Sequence, residues 1–212
     1  MNELDKLKTG FREFREHYFE DNPELYNHLV DKGQSPGAMV IACADSRVHP
    51  AQVLKTEPGD IFVVRNVANI VPPCEDDGKS HGTSAAIEFA VMHLGVKHII
   101  IMGHRFCGGI RSLMEGEHES NKYRFIDPWM HILRPARERI LADMPDMDFE
   151  EQCHACEQAA IGISIDNLKS FPWLEKRVEE GRLELHGWYF DFERGELLEM
   201  NQDDQSFRVV TL

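Results

Sequence analysis

MVIACADSRVHP, at residues 39–50, begins with a short apolar run and then places Cys43, Asp45 and Arg47 within a few positions of one another. An apolar run of this length predicts a strand that is buried on both faces of a sheet. Charged side chains are seldom buried unless they are paired or functional. A thiol, a carboxylate and a guanidinium at the end of such a strand therefore indicate a site at its carboxyl end.

Two later runs, DIFVVRN (60–66) and KHIIIMGH (97–104), have the same apolar character and also predict strands buried on both faces. Between them, TSAAIEFAVMHLG (83–95) has the periodicity of a crossover helix that ends at Gly95. Strands that alternate with helices predict a parallel sheet with right-handed crossovers. The fold class we predict is α/β, with a mainly parallel central sheet flanked by helices.

The C-terminal third predicts helices first and strands afterwards. A helical pattern extends from 121 to about 180. LELHGWYFDFERGELLEM (183–200) then predicts an antiparallel hairpin that turns at Arg194 and Gly195, and SFRVVTL (206–212) predicts a last strand.

The N-terminus predicts a helical arm ahead of the sheet. Residues 3–20 have an amphipathic helical pattern. A second helix is predicted to have Asn22 as its cap and Pro23 at its first position, and to stop at Gly33. We therefore predict a single domain over 1–212, composed of an N-terminal helical arm (1–33) and an α/β core (34–212).

Composition excludes several classes of function. The chain has 23 basic and 37 acidic residues, a net charge of −14, which is the wrong sign for a nucleic-acid partner. It has no apolar stretch long enough to span a membrane and no secretory signal, so we expect no membrane partner and a cytoplasmic location. Its five cysteines are an odd number, which favours metal ligation or catalysis over a disulfide framework.

Three potential metal ligands lie at predicted strand ends. Cys43 closes one strand, His104 closes another, and Cys107 follows His104 by three residues. Two thiolates and an imidazole leave a tetrahedral zinc ion with one open position, which is the pattern of catalytic zinc. Asp45 could orient a zinc-bound hydroxide, and Arg47 could keep that carboxylate charged and turned correctly.

CADSR (43–47) followed by HRFCGG (104–109) resembles the beta-class carbonic anhydrases, particularly the plant-like members. The likeness covers about residues 34 to 110 and extends to LHGWYFDFERGEL (185–197) in the late hairpin. It implies one Zn²⁺ per chain on Cys43, His104 and Cys107, with Asp45 and Arg47 as a catalytic pair. The implied reaction is reversible hydration of CO2 to bicarbonate and a proton, by attack of zinc-bound hydroxide.

The resemblance also implies a substrate pocket and an oligomer. Its pocket residues are Gln34, Phe62, Val67, Phe89 and the backbone of Gly108, with Phe89 standing where plant-like members often have tyrosine. In that family the pocket lies at a dimer interface. We therefore expect a homodimer or a tetramer, with the N-terminal arm lying across the partner.

Some members of the family have a closed state that bicarbonate stabilises, in which the aspartate itself binds zinc. Their inhibitory site resembles a tryptophan, arginine and tyrosine trio, and the matching positions here are Val40, Arg65 and Phe190. Because two of the three are different, we expect the open form and no bicarbonate switch. Asp45 would be a zinc ligand only in a closed form.

Two alternative functions stay open at this stage. Some members of the family hydrolyse carbon disulfide or carbonyl sulfide on the same zinc scaffold. A zinc ion that only stabilises structure is the other alternative, although the Asp45 and Arg47 pair argues against it.

Cys153 and Cys156 have a CxxC spacing within a helical pattern. We interpret this pair as helix packing, with a redox or second zinc site left open.

Overall fold

The computed structural model describes residues 2–116 and 124–211, which form a six-stranded β-sheet with helices around it. The strands are β1 (Ala38–Cys43), β2 (Ile61–Asn66), β3 (His98–His104), β4 (Glu184–Asp191), β5 (Glu196–Met200) and β6 (Phe207–Val209). They lie in the order β2-β1-β3-β4-β5-β6. The first four in this order are parallel, and β5 and β6 are antiparallel. The predicted parallel sheet with an antiparallel C-terminal hairpin is confirmed.

The helices account for most of the remaining described chain. The α-helices are α1 (Glu3–Arg15), α2 (Glu24–Lys32), α3 (Pro50–Val53), α4 (Gly82–Glu88), α5 (Gly108–Glu115), α6 (Ile126–Met130), α7 (Arg134–Asp143), α8 (Phe149–Lys169) and α9 (Pro172–Glu179). Glu16–Asp21 continues α1 and Phe89–Leu94 continues α4, both as π-helix, while Val67–Asn69 and His131–Leu133 are short 3₁₀ turns. The helical pattern predicted from 121 to about 180 corresponds to α6 to α9, and 121–123 lie outside the described residues.

The crossover between β2 and β3 is helical, as predicted. Its second part ends at Gly95, whose φ of +70° is the left-handed conformation that glycine adopts easily at a helix end. In space β1 lies between β2 and β3, so this crossover passes over the middle strand of a parallel triplet.

The apolar core divides into clusters on the two faces of the sheet and one at its carboxyl end. Met39, Ile41, Ile99 and Ile101 of β1 and β3 are fully buried against α4, α8 and α9. The alternate residues of the same strands form a smaller cluster on the opposite face. A third cluster includes Cys43 and Cys107 and packs α5, α7 and α8 beside the carboxyl end of the sheet. The predicted site therefore lies beside this buried apolar cluster.

Glycines allow α8 to lie close to the sheet. A Cβ at Gly103 of β3 would lie 2.8 Å from Ile161 Cδ1, and a Cβ at Gly187 of β4 would lie 2.8 Å from Ile161 Cγ2. Ile161 of α8 therefore fills the space that side chains at these two positions would need. Since Gly103 directly precedes His104, this contact also fixes the end of β3.

The prediction that β2 is buried on both faces is wrong. All six of its residues are partly exposed, because β2 is the edge strand of the sheet and lacks a neighbour on one side. Its sequence is nearly as apolar as that of β1, so local composition did not reveal its position.

The N-terminal helices pack loosely on the rest of the chain. No residue of α1 or α2 is buried, and Leu4, Leu7 and Phe11 are each about two-thirds exposed (65%, 69% and 65%). Aromatic side chains such as Phe14 and Tyr26 contact one another, with ring centroids 5.9 Å apart. The two helices are thus held mainly by their own aromatic contacts.

One detail of the N-terminal prediction is wrong. Asn22 was predicted to cap the second helix with Pro23 inside it, but α2 begins at Glu24 and Pro23 occupies the capping position. The Asn22 side chain instead donates a hydrogen bond to the His17 carbonyl at 3.3 Å, which closes the preceding π-helical segment. The predicted stop at Gly33 is confirmed.

Candidate metal centre

The fold brings Cys43, His104 and Cys107 together. Cys43 ends β1, His104 ends the neighbouring parallel strand β3, and Cys107 stands immediately before α5. Their ligand atoms all lie within 4.8 Å of one another, and the two sulfur atoms are 4.0 Å apart. All three residues are buried, with 5%, 1% and 2% of their surface exposed. Because parallel strands end at the same edge of a sheet, this convergence follows from the topology.

The three side chains fit a zinc ion chemically. His104 Nδ1 lies 2.8 Å from the Arg105 carbonyl, so we assign the proton to Nδ1 and leave Nε2 as an acceptor. Among the described residues, Nε2 of this buried ring has no hydrogen-bond partner. Two sulfurs and one such nitrogen are the soft and borderline donors that zinc prefers.

The electrostatics of the cluster favour a bound cation. A hydrogen bond from the Cys107 thiol, together with the neighbouring His104, lowers the pKa of Cys43 to about 4. The same hydrogen bond and burial raise the pKa of Cys107. The two sulfurs therefore share one proton in the absence of a cation, and a metal ion could replace it. Burial opposes the charged form of His104, but the Cys43 thiolate outweighs burial and raises the pKa of the imidazole.

Asp45 and Arg47 form the predicted pair beside this cluster. Arg47 Nε donates to Asp45 Oδ1 at 2.9 Å and Arg47 Nη2 donates to Oδ2 at 2.7 Å, a bidentate contact. Arg47 Nη2 also donates to the Phe106 carbonyl at 3.0 Å, which fixes the guanidinium against the loop that precedes Cys107. The Arg47 hydrogen bond is the main reason that the pKa of Asp45 falls to about 2. The carboxylate is therefore ionised and held in one orientation.

Arg65 is a supporting residue that the sequence interpretation did not recognise in this role. From β2, its Nε donates to the Cys43 carbonyl at 2.9 Å and its Nη2 donates to the Asp45 carbonyl at 2.6 Å. One guanidinium thus connects the backbone of a metal-ligand candidate with that of its neighbouring carboxylate. An arginine directly after the apolar run IFVV (61–64) was the available signal.

Glu157 is a second supporting residue that sequence reasoning missed. This residue of α8 is only 4% exposed, and its Oε1 accepts a hydrogen bond from the Cys107 backbone N–H at 2.8 Å. Its Oε2 accepts a hydrogen bond from the Tyr189 hydroxyl at 2.6 Å. Burial raises the pKa of Glu157, although both hydrogen bonds oppose that shift. An acid placed two residues before the small and apolar stretch of 159–163 in the middle of α8 was the signal that could have identified it.

The structure places Gly108 and Val67 beside the ligand cluster, but it does not bring the other predicted pocket residues there. Phe62 stands opposite Met39, four residues before the Asn66 that faces Cys43. Phe62 and Phe89 contact each other with ring centroids 5.9 Å apart. Val67 lies beside the start of α5, because a Cβ on Gly109 would be 2.9 Å from Val67 Cγ1. Gly108 begins α5 directly after Cys107, and Gln34 is exposed in the segment between α2 and β1. Their roles in substrate binding stay predictions.

Cys153 and Cys156 do not join a metal cluster. Neither belongs to any group of three or more close ligand side chains in residues 2–116 and 124–211. Both are buried in the third apolar cluster, and burial raises the pKa of Cys153 to about 11 and that of Cys156 to about 12. This environment suits the interpretation of the pair as helix packing.

Within the described part of the chain, none of the helices has the length and apolar character that a membrane crossing requires.

Comparison with known proteins identifies the family. The sequence model of the carbonic anhydrase family matches residues 38–197. Beta carbonic anhydrase 3 of Arabidopsis thaliana is 41% identical over 197 residues, which are 92% of this chain and 76% of that protein. Beta carbonic anhydrase 5, chloroplastic, of the same plant is 43% identical over 189 residues, which are 89% of this chain and 62% of the relative.

Solved structures agree with the sequence comparisons. The structure of the beta-carbonic anhydrase CcaA matches with a TM-score of 0.91 and 31% identity, over 99% of this chain and 92% of that one. A structure from a study of two tetrameric beta-carbonic anhydrases of Sordaria macrospora matches with a TM-score of 0.78 and 31% identity, over 93% and 95% of the two chains. This chain belongs to the carbonic anhydrase family, in its beta class.

Proposed function

We propose that this chain catalyses the reversible hydration of CO2 to bicarbonate and a proton, with one zinc ion per chain held by Cys43, His104 and Cys107. The observation that carries the proposal is the convergence of these three buried ligands within 4.8 Å, beside an ionised Asp45, in a chain of this family. Zinc at these ligands would supply a Lewis acid that makes water nucleophilic near neutral pH.

Asp45 and Arg47 orient the attacking water in this proposal. The Asp45 carboxylate can accept a hydrogen bond from that water because Arg47 keeps it ionised. Arg47 also occupies both carboxylate oxygens, at 2.9 and 2.7 Å, and so holds Asp45 away from the ligand cluster. This arrangement favours the open form, in which Asp45 is not a metal ligand.

The absence of a bicarbonate switch is part of the proposal. Val40 is fully buried in the sheet, and the Arg65 guanidinium is already bonded to the carbonyls of Cys43 and Asp45. Phe190 has no hydroxyl with which to bind an anion. We expect bicarbonate to act on this enzyme as a product and not as an effector of that kind.

In this proposal the predicted pocket residues bind the CO2 substrate. Phe62, Val67 and Phe89 offer apolar surface that suits a nonpolar gas. Gln34 and the backbone N–H of Gly108 are the proposed donors to the oxygen that gains negative charge during the reaction.

A stopped-flow assay of CO2 hydration on the zinc-loaded enzyme tests the function. We expect turnover that disappears when a chelator removes the metal and returns when zinc is added back. Sulfide release from carbon disulfide and carbonyl sulfide is measured in parallel. Hydrolysis of either sulfide substrate without CO2 hydration would show that the enzyme has the alternative, hydrolase activity. No turnover of any substrate would leave zinc in a purely structural role.

We also propose that the chain forms a homodimer or a tetramer through its N-terminal arm. The exposed Leu4, Leu7 and Phe11 support this proposal, as does the tetrameric state of the proteins from Sordaria macrospora. Light scattering on the full chain should give a dimer or tetramer mass, and a double variant, Leu7→Asp with Phe11→Asp, should lower that mass. A monomeric wild type would contradict the proposal.

The cytoplasmic location stays a prediction from the sequence.

A further inference from the structure

A second group of metal-ligand side chains lies at the amino ends of the parallel strands, opposite the end that carries the cysteine cluster. His98 begins β3, and Glu184 begins the neighbouring parallel strand β4 directly beside it. His186 follows two residues later, and because alternate residues of a strand face the same side, it shares a face with Glu184. The sequence predicts no role for these three residues.

Three specific atoms of this group form a compact triangle. His98 Nδ1 lies 3.2 Å from His186 Nε2 and 3.6 Å from Glu184 Oε2. The remaining edge, between His186 Nε2 and Glu184 Oε2, is 3.8 Å. Each side chain therefore directs one ligand atom toward a common point.

The size of this triangle fits a tetrahedral metal site. Bonds of about 2.0–2.2 Å from zinc to nitrogen and oxygen place neighbouring ligand atoms about 3.3–3.6 Å apart in a tetrahedron. The three measured edges, 3.2, 3.6 and 3.8 Å, lie close to that range. A hydrogen bond between the two imidazoles would explain the first edge, but it would not explain why the carboxylate oxygen is nearly equidistant from both rings.

A further carboxylate lies behind one of the ligands. Glu199 of β5 has its Oε1 3.8 Å from Nδ1 of His186, the ring nitrogen that faces away from the triangle. Trp188 Nε1 donates to the same carboxylate oxygen at 3.4 Å. Metal-binding histidines commonly have such an outer carboxylate, which orients the ring and increases its basicity.

The surroundings allow a cation to enter. The side chains of His98 and Glu184 are 42% and 65% exposed, so solvent reaches the triangle and can supply a fourth ligand. The nearby Arg182 guanidinium is paired with Glu180, which offsets its positive charge. The chain as a whole carries a net charge of −14.

We propose that His98, Glu184 and His186 form a second metal site that binds a borderline divalent cation, with Zn²⁺ the best match to two imidazoles and a carboxylate. The site is separate from the cysteine cluster, because β3 places His98 and His104 about 20 Å apart along the strand. A metal ion there would link the starts of β3 and β4.

The test is a titration of the zinc-loaded enzyme with Zn²⁺ alone, followed by calorimetry and by metal analysis after gel filtration. We expect a second zinc equivalent per chain in the wild type. The double variant His98→Gln with His186→Gln should bind this second equivalent at least tenfold more weakly, and its CO2 hydration should be unchanged. His28→Gln is the matched control, because it removes an exposed histidine from α2 and should leave the second equivalent intact.

Two results would overturn the proposal: a wild type that takes up no second equivalent, or a double variant that binds it as tightly as the wild type. If the double variant does not fold, the more exposed His98→Gln alone serves in its place, with the same expected loss. The first equivalent reports separately on the cysteine cluster. A failure there would count against the proposed function and not against this second site.

Discussion

Two pairs of cysteines lie in the same apolar cluster of this molecule and differ sharply in chemistry. Cys43 and Cys107 belong to it, and so do Cys153 and Cys156 on α8. In the first pair the pKa of Cys43 is lowered to about 4 while that of its partner Cys107 is raised, so the two sulfurs share one proton. In the second pair burial raises the pKa of both thiols, to about 11 at Cys153 and about 12 at Cys156. Burial is common to all four, so burial does not make a metal ligand. The difference lies in Cys43, which receives a hydrogen bond from the Cys107 thiol and lies beside the His104 imidazole.

The largest expected effect is on zinc binding, which a variant of the first cysteine pair should lose and a variant of the second pair should keep. Cys43→Ala removes a proposed ligand, so zinc content should fall from one per chain toward zero and CO2 hydration should fall on the order of 10³-fold or more. Cys156→Ala removes a sulfur of similar burial and should keep both. Elemental analysis and stopped-flow assays measure these outcomes. Equal zinc loss in the two variants would remove the distinction between the pairs.

Alkylation of the α8 pair sharpens the comparison. At pH 8 a thiol with a pKa of about 11 has roughly 0.1% thiolate, whereas an ordinary cysteine has about a quarter. Because Cys153 is also buried, it should react with iodoacetamide at least about 200-fold more slowly than free cysteine. The rate should rise about tenfold per pH unit between pH 8 and pH 10. Mass spectrometry of the labelled peptide follows it. A rate at pH 8 equal to that of free cysteine would contradict the raised pKa.

Asp45→Asn tests whether the polar surroundings of the first pair act in catalysis. Asparagine keeps the size of the side chain but loses its charge, so we expect zinc to be retained and CO2 hydration to fall on the order of 100-fold. Asp77→Asn is the control, since Asp77 is a carboxylate paired with Lys79 in the segment before α4. Full activity in Asp45→Asn would exclude the carboxylate from the mechanism.

Tyr189→Phe examines the buried support of Cys107. The variant leaves Glu157 without the hydroxyl that donates to it, so the free energy of unfolding should fall by about 1–3 kcal/mol. Tyr18→Phe is the matched control, because its hydroxyl donates to Glu57 at 2.7 Å on the surface. Chemical denaturation measures both. A cost for Tyr18→Phe as large as that for Tyr189→Phe would show that burial of the carboxylate does not matter.

The smallest expected effect is on acid stability. The folded pKa of Asp45, about 2, lies below its ordinary value of 3.8, so the paired carboxylate stabilises the fold above about pH 4. This contribution declines as the pH falls toward 2. The difference in unfolding free energy between wild type and Asp45→Asn should therefore be constant above pH 4 and shrink below it. A difference that already declines between pH 7 and pH 5 would indicate another group.

Local patterns were sufficient to predict the features that depend on neighbouring residues in sequence. The apolar runs gave the parallel strands, and the turn at Gly195 gave the hairpin of β4 and β5. Cys43, His104 and Cys107 could be brought together before the structure was known, because parallel strands end at one edge of a sheet. Each of these inferences needs only strand direction and spacing.

Features that depend on strand order or distant packing could not be predicted in this way. The edge position of β2 follows from the placement of β1 between β2 and β3, which no single segment encodes. Glu157 supports Cys107 across 50 residues of sequence, and Arg65 reaches the Asp45 carbonyl across 20. Asn22 does not cap α2, because its side chain is directed back toward the preceding segment, where Nδ2 donates to the His17 carbonyl.

The two hydrogen bonds of Arg65 depend on the register between β1 and β2. Ala42 stands opposite Arg65 in that register, and Cys43 stands opposite Asn66. Sliding β2 by a single residue, about 3.3 Å, would carry the guanidinium past both carbonyls and turn its side chain to the other face. The alignment of the edge strand β2 thus positions the backbone of Cys43 relative to that of Asp45.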